Sequence, residues 1–150
     1  LTNTFMKLNI KKFNDLTNEE LYRLLELRFN VFVYEHEYIY NEFDGQDKDA
    51  MHMFYKDDED IVATIRVFKD TKDSAVMSRF IVKKDFRSKG LGKQLFGECL
   101  EYIKKNLSVS LIKLGAQEYY ENFYAEFGFI KSSDVYMEGN SPHIRMRFKL

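Results

Sequence analysis

Arg87-Ser88-Lys89-Gly90-Leu91-Gly92 separates an apolar, strand-like run, Val76-Met77-Ser78-Arg79-Phe80-Ile81-Val82, from a run in which Leu91, Leu95, Phe96, Cys99, Leu100 and Ile103 recur at helical spacing. Strand, glycine-rich turn and helix start form one unit. Such a turn presents several backbone N–H groups above a helix N-terminus, where the natural guest is a phosphate. The pattern is neither Gly-x-x-x-x-Gly-Lys-Ser/Thr nor Gly-x-Gly-x-x-Gly, so it is not a nucleotide loop of either familiar type. A basic, solvated turn opening an ordinary helix is the competing reading of these six residues taken alone.

Working outward, Met6, Leu8 and Ile10 alternate with Lys7, Asn9 and Lys11, the period of a half-buried strand. Thr17 and Glu20 fit the Ser/Thr-x-x-Glu capping box and predict a helix that carries Leu21, Leu24, Leu25 and Arg28 on one face and ends near Tyr34. From Glu35 to Asp49 the chain turns polar and acidic, with Gly45 as a breaker, and reads as a loop. Met51 to Lys56 and Ile61 to Lys69 read as strands flanking the acidic turn Asp57-Asp58-Glu59-Asp60, followed by a strand from Ala75 to Val82. After the Leu91 to Lys105 helix come a strand at Val109 to Leu114, an aromatic helix from Gln117 that closes at Gly128, and strands at Phe129 to Met137 and Ile144 to Phe148. The order β-α-β-β-β-α-β-α-β-β predicts an α/β fold with a mixed sheet and helices on both faces. The strands at 75–82 and 109–114 are expected to be parallel neighbours, because the Leu91 helix supplies the crossover such a pair needs.

The 150 residues are expected to make a single domain, 1–150, that buries roughly two-thirds of its unfolded surface. Residues 1–5 read as upstream sequence or an addition from cloning, since Met6-Lys7-Leu8 would serve as a natural start. A formal net charge of -1 with both signs interspersed argues against a nucleic-acid or membrane-surface partner. No run approaches the roughly 20 apolar residues that span a bilayer, and no signal segment opens the chain, so a soluble, cytoplasmic protein is expected. Cys99 is the only cysteine, which excludes an internal disulfide and a cysteine zinc site; on the apolar stripe of its helix it reads as a buried thiol. His36, His52 and His143 lack ligand spacing, so no metal is expected, and no Ser-His-Asp or Cys-His nucleophile pattern stands out.

Arg-x-x-Gly-x-Gly at Arg87 to Gly92, preceded by Phe80-Ile81-Val82, resembles the acyl-CoA pyrophosphate loop of the GNAT N-acetyltransferases. Gln117-Glu118-Tyr119-Tyr120-Glu121-Asn122-Phe123-Tyr124-Ala125-Glu126-Phe127-Gly128-Phe129 resembles that family's later helix, in which a tyrosine lies four residues before a Gly-Phe pair. Leu27-Arg28, Val31-Phe32-Val33, Glu35, Tyr40-Asn41-Glu42, Asp44-Gly45, Asp47 and His52 are similar to the first half of the ElaA-like subfamily, and Pro142-His143-Ile144 with Met146 to its C-terminal signature. The resemblance runs from about Leu21 to Met146. Where ElaA-like proteins usually carry Gln-x-Cys-Pro after the glutamate, this chain has His36-Glu37-Tyr38-Ile39, so any role for that thiol is absent here.

The resemblance implies the GNAT acyl-CoA N-acyltransferase fold, with a splayed central strand pair that admits the pantetheine arm, and an acetyl transfer from acetyl-CoA to a small-molecule or peptide amine without a metal. The implied cofactor-binding residues are Phe80, Ile81, Val82, Arg87, Ser88, Lys89, Gly90, Leu91, Gly92, Lys93, Gln117 and Tyr124. Backbone amides from Lys89 through Lys93 would hold the pyrophosphate, Gly90 and Gly92 would allow its close approach, and Arg87, Lys89 and Lys93 would add charge unless they are only a solvated rim. Main-chain groups of Phe80 and Val82 would meet the pantetheine amides.

Acyl transfer to an amine poses two proton problems. A lysine-like amine is only about one part in 2,500 neutral at pH 7, a penalty of about 4.6 kcal/mol, so a base or a desolvated site is expected. The resemblance makes Tyr124 the acid for the departing thiolate, against core packing within the stripe Tyr119, Tyr120, Phe123, Tyr124 and Phe127. His143 leads as base because imidazole titrates near neutrality, with loop fixation as its other reading, and Glu42 follows. Glu35, Asp44, Arg79 and His52 are the candidate substrate-binding residues; Arg79 either enters the acceptor pocket or pairs with one of the acids. The acidic stretch Glu35 to Asp49 suggests a cationic acceptor, or else a solvated loop. Alternatives are a noncatalytic acyl-CoA-binding or sensing module, and an acyl-homoserine-lactone-synthase-like acyltransferase, suggested by the early Arg-x-x-Val-Phe stretch at Arg28 to Phe32. Either a monomer or a homodimer is compatible with the sequence.

Overall fold

The apolar stripes find their partners across one mixed sheet in the computed structural model, which describes residues 6–150; residues 1–5, with the expectation about the start, lie outside the described residues. The elements are β1 (Asn9–Lys12), α1 (Asn18–Arg28), β2 (Met51–Asp57), β3 (Asp60–Thr71), β4 (Ser74–Val82), α2 (Leu91–Asn106), β5 (Leu111–Gln117), α3 (Glu121–Ala125), β6 (Ile130–Lys131), β7 (Tyr136–Glu138) and β8 (Ser141–Lys149). The strand order is β1-β2-β3-β4-β5-β8-β6, with β7 also on β8. β4 and β5 are parallel, joined by α2 as the crossover, and the other neighbours are antiparallel.

Each face of the sheet is closed by one helix. Leu91, Leu95, Phe96, Cys99, Leu100 and Ile103 of α2 are all buried and pack with Met53, Tyr55, Val62, Ile65, Ile112 and Ile144. On the other face Leu24, Leu27, Val31 and Phe32 pack against Phe54, Ile61 and Ile81. A fully buried side chain of this size contributes about 1.5–3 kcal/mol, so the two stripes fix both the sheet and its layering.

The start of α1 shows how local chemistry anchors a layer. Thr17 Oγ1 accepts the Glu20 N–H at 3.0 Å and the Glu20 carboxylate accepts the Thr17 N–H at 2.9 Å, the expected capping box. Glu20, 3% exposed, also takes Lys11 Nζ at 2.9 Å and Lys56 Nζ at 3.0 Å, which ties the helix to β1 and β2. Burial pushes the Glu20 carboxyl up, but the Thr17 N–H and the two ammonium groups outweigh it and hold the group at about 2.

Several boundaries differ from expectation for physical reasons. Beyond Arg28 the first helix continues as a π-helical turn, Phe29–Glu35. The strand expected at Val109 to Leu114 is Leu111–Gln117, so Gln117 ends β5 and does not begin a helix. A 3-10 turn, Glu118–Tyr120, precedes the short α3, whose end is tightened by the Gly128 N–H donating to Ala125 O with Gly128 at φ +99°. The expected strand at Phe129 to Met137 splits into β6 and β7, because Ser132 and Ser133 leave the ladder to bond the Arg145 main chain.

Candidate active site

The site begins where the sheet comes apart. β4 and β5 pair only through Ser74–Val76 against Leu111–Lys113. Beyond that point β4 stays with β3 as far as Val82, and β5 stays with β8 as far as Gln117 opposite His143. A bulge drives them apart: Arg66 lies opposite Ser78 and Thr64 opposite Ile81, so β4 carries one extra residue, and Arg79 takes a left-handed φ of +52°. The wedge opens into a cavity of about 690 Å³ that reaches the N-terminus of α2, α3 and the loop before β2.

The donor half is built by the turn singled out above. Ser88 and Gly90 are both left-handed, at φ +63° and +83°, and Gly90 caps α2 through its backbone carbonyl, which accepts the Gln94 N–H. No side chain among the described residues caps the first turn, so its N–H groups are left without a side-chain partner at the cavity mouth. Gly90 answers to conformation rather than to crowding, since a Cβ there would meet nothing within 4 Å. Gly92 has ordinary room as well, 3.6 Å from the Phe80 and Val82 side chains, so nothing within the protein itself demands a glycine there.

Arg87 lines the cavity but has partners within the protein. Its guanidinium clasps the Glu35 carboxylate at 2.5 and 3.0 Å and its Nε donates to Val82 O at 2.8 Å, so both its charge and that carbonyl are already engaged. Lys89 lies over the Phe86 ring, and Lys93 stands 3.5 Å from Glu126 with both side chains 64% exposed. The deep wall is aromatic: Phe80, Phe96, Phe123 and Tyr124 meet with ring centroids 5.2–6.5 Å apart. Tyr124 lines the cavity, and burial pushes its phenol well above the ordinary range, with Tyr120 adding to the effect.

The acceptor half is lined by Tyr38, Tyr40, Tyr136, Glu138 and His143. Tyr38 and Tyr40 stack at 4.7 Å, and Phe32 meets both edge-on. His143 is 5% exposed; its Nδ1 lies 3.0 Å from Ser141 O and its Nε2 3.3 Å from the Tyr38 hydroxyl, which is also 3.1 Å from Glu138 Oε2. Tyr38, Tyr136 and Glu138 were not singled out by the sequence. The break at His36-Glu37-Tyr38-Ile39 was the available signal, but it read as a missing thiol rather than a new hydroxyl.

Of the acidic stretch Glu35 to Asp49, Glu35, Glu42, Asp44 and Asp47 are paired with arginines, which leaves less charge free for a cationic acceptor than the sequence suggested. Asp47 takes both terminal nitrogens of Arg28 at 2.9 and 3.1 Å and one of Arg66 at 3.2 Å. Asp44 takes Arg66 at 2.9 and 3.1 Å, and Glu42 takes Arg79 Nε at 2.8 Å. Arg28 and Arg66 are 1% and 2% exposed; Arg66 and Arg79 staple residues 42–47 onto the sheet, and Arg28 ties them to the end of α1. Burial pushes the Asp44 and Asp47 carboxyls up, but the guanidinium groups prevail and hold both below the usual range.

The candidates therefore separate. Phe80, Ile81, Val82, Ser88, Gly90, Leu91, Gly92, Lys93, Gln117, Tyr124 and His143 share the cavity lining, as do Arg79, Arg87 and Asp44 with their ion pairs. Glu42 is clamped by Arg79 and lies 3.6 Å from Arg28, which disfavours it as a base, and Glu35 is spent on Arg87. His52 is 1% exposed on β2 with Nε2 donating to Asp47 O; burial first, and then the Arg28 and Arg66 charges, hold it toward the neutral form, away from any substrate.

A parallel strand pair that parts beside a glycine-rich, uncapped helix start defines the class of acyl-CoA N-acyltransferases. The acetyltransferase (GNAT) domain family matches residues 13–150, and the chain belongs to that family. Protein ElaA of Escherichia coli (strain K12) is 36% identical over 137 residues, covering 89% of this chain and 90% of that protein. The crystal structure of Escherichia coli ElaA superposes with a TM-score of 0.87 at 34% identity, over 95% of this chain and 99% of that one. An acyl-CoA N-acyltransferase from Pseudomonas aeruginosa superposes with a TM-score of 0.88 at 33% identity, over 95% and 99% of the two chains. Among the described residues no helix is long and apolar enough to cross a membrane, and no cluster of metal-ligating side chains occurs.

Proposed function

We propose that this protein transfers an acetyl group from acetyl-CoA to a primary amine, directly within a ternary complex. The observation that carries the reading is the wedge between β4 and β5, whose open strand edges lead from an uncapped helix N-terminus to a half-buried tyrosine and a buried histidine. The residues fit an acyl-CoA: the first-turn amides of α2 with Lys89 and Lys93 suit a diphosphate, and the main-chain groups of Phe80 with the Val82 N–H, whose carbonyl Arg87 occupies, suit the amides of the pantetheine arm. The donor supplies an activated thioester carbonyl.

This chain's own residues supply the proton handling. Tyr124 stays protonated because of its burial and holds a proton at Oη for the departing sulfur; the same dry surroundings disfavour a free thiolate, so the two acids stay comparable in strength. His143 is the base that finally takes up the amine's proton, at Nε2, because Nδ1 faces a carbonyl and must donate to it. Cys99 is fully buried and its thiol is pushed up by desolvation, which disfavours an acyl-cysteine route.

With Glu35, Glu42, Asp44 and Asp47 already paired, the acceptor chamber suits one amine on a flat, apolar body better than a polyamine or aminoglycoside. Calorimetry with CoA and acetyl-CoA, followed by thiol release against a panel of arylalkylamines, amino acids, peptide N-termini and polyamines, tests the reading. Saturable CoA binding and thiol release favouring aromatic monoamines are expected. No measurable affinity for CoA ends the assignment. Equal CoA affinity with no thiol release on any amine points instead to a binding module, and faster turnover with acyl-carrier protein replaces the donor.

A further inference from the structure

Tyr38 occupies a position that acetyl transfer as described above does not explain. Its side chain is 7% exposed, yet the hydroxyl stands between two acceptors, His143 Nε2 at 3.3 Å and Glu138 Oε2 at 3.1 Å, and all three residues line the acceptor half of the cavity. A phenol has one proton to give. His143 Nδ1 must donate to Ser141 O at 3.0 Å, because a carbonyl only accepts, so in the neutral ring Nε2 is an acceptor. Tyr38 can then satisfy His143 or Glu138, but not both at once.

We propose that Tyr38 is a two-position proton relay for His143, with its hydroxyl directed to Nε2 when the imidazole is neutral and to Glu138 when the imidazole is charged. The proposal rests on the acetyl-transfer reading for its catalytic use, but the switch itself is a property of the protein without substrates. In use, the amine N–H bond breaks as an O–H bond forms on Tyr38, and the original Tyr38 O–H breaks as an N–H forms at His143 Nε2. The amine lone pair makes the new C–N bond, the C–S bond breaks, and the sulfur takes its proton from Tyr124. Return of one proton from the imidazolium to Tyr124 through solvent balances the cycle. In the charged state Nε2–H donates to the Tyr38 oxygen while the Tyr38 hydroxyl donates to Glu138, so the carboxylate stabilises the imidazolium through one intervening oxygen. Burial and the neighbouring Glu138 both favour the protonated phenol, so Tyr38 passes protons without resting as a phenolate. The other charged or titratable groups around it are Arg79, Tyr40 stacked on its ring, and Tyr136, the last beneath the Arg145 guanidinium.

The test needs no acceptor. Two-bond proton–nitrogen spectra of histidine-labelled protein at alkaline pH, with His143 assigned by a His143→Asn variant, report which ring nitrogen carries the proton and whether the other accepts a hydrogen bond. The expected wild-type ring is protonated at Nδ1, with Nε2 at a hydrogen-bonded shift. Tyr38→Phe moves Nε2 toward the shift of a free imine nitrogen, whereas Glu138→Ala moves it the opposite way, since the hydroxyl then has one destination. A proton on Nε2 in the neutral ring, or an Nε2 resonance that neither variant moves, overturns the proposal. Where an accepted amine is in hand, Tyr38→Phe is expected to lower kcat on the order of 10²-fold with an unchanged KM for acetyl-CoA, and an unchanged kcat removes the relay from catalysis. Absence of CoA binding would end the acetyl-transfer reading while leaving the spectroscopic result standing, so the two failures are distinguishable.

Discussion

Tyr124 and Glu20 make opposite uses of burial. Tyr124 has aromatic rings around it and no carboxylate against it, so desolvation, with Tyr120 adding to it, keeps its proton in place. Tyr124→Phe is expected to retain CoA affinity by calorimetry while thiol release falls on the order of 10²-fold; undiminished turnover would remove the phenol from the chemistry. Glu20 is held at about 2 against an ordinary 4.5, so its folded-state value lies below its unfolded one. Its contribution is therefore complete above pH 4.5 and lost as the pH falls from there toward 2, on the order of 2–3 kcal/mol once the partial exposure of both lysines is allowed for. Denaturant midpoints of wild type and Glu20→Gln should differ at pH 7 and converge near pH 2. That Tyr124 and His143 line the cavity was legible because each sits at a fixed place in a short motif. An ion pair of Arg79 with a loop acid was one of its two readings, but Tyr38 and the Arg66 staple were not legible, since Tyr38 meets Glu138 and His143 from across the whole chain and Arg66 finds Asp44 and Asp47 on a loop with no regular period.

At the scale of elements, the two glycines at the start of α2 answer to different constraints. Gly90 sits at φ +83°, where an L side chain costs about 1–2 kcal/mol, whereas Gly92 is helical and has 3.6 Å of room around its missing Cβ. Gly90→Ala is expected to lower the denaturant midpoint, and Gly92→Ala to hold or raise it while weakening CoA binding; calorimetry beside chemical denaturation separates the two. Equal CoA affinity for Gly92→Ala and wild type would remove the first turn of α2 from donor binding. The α2 stripe, the capping box of α1 and the strand alternation were readable because one face of each element carries the whole signal. The region after Gln117 was not. Its aromatic spacing matched a helix, but cavity-lining and core aromatics share that spacing, and Ser132 and Ser133 interrupt the ladder through main-chain bonds no periodicity encodes. The bulge at Arg79 was equally silent, since it depends on the pairing with β3.

At the scale of the whole molecule, the loop between α1 and β2 belongs to the sheet because arginines reach out from beneath it. Arg66→Met leaves Asp44 and Asp47 each short of a partner in a largely dry setting and is expected to cost about 3 kcal/mol in urea denaturation, with faster proteolysis within residues 36–49. Asp44→Asn should recover part of that loss in the double variant, and full additivity would argue against a shared network. One further consequence follows from the short pairing between β4 and β5. The sheet is two leaves, β1–β4 and β5–β8, stitched along Ser74–Val76 and otherwise bridged by α2. A guest lying in the open part of that seam would act as a second line of stitching, so its arrival should slow amide exchange in both leaves at once and turn a hinge into a plate.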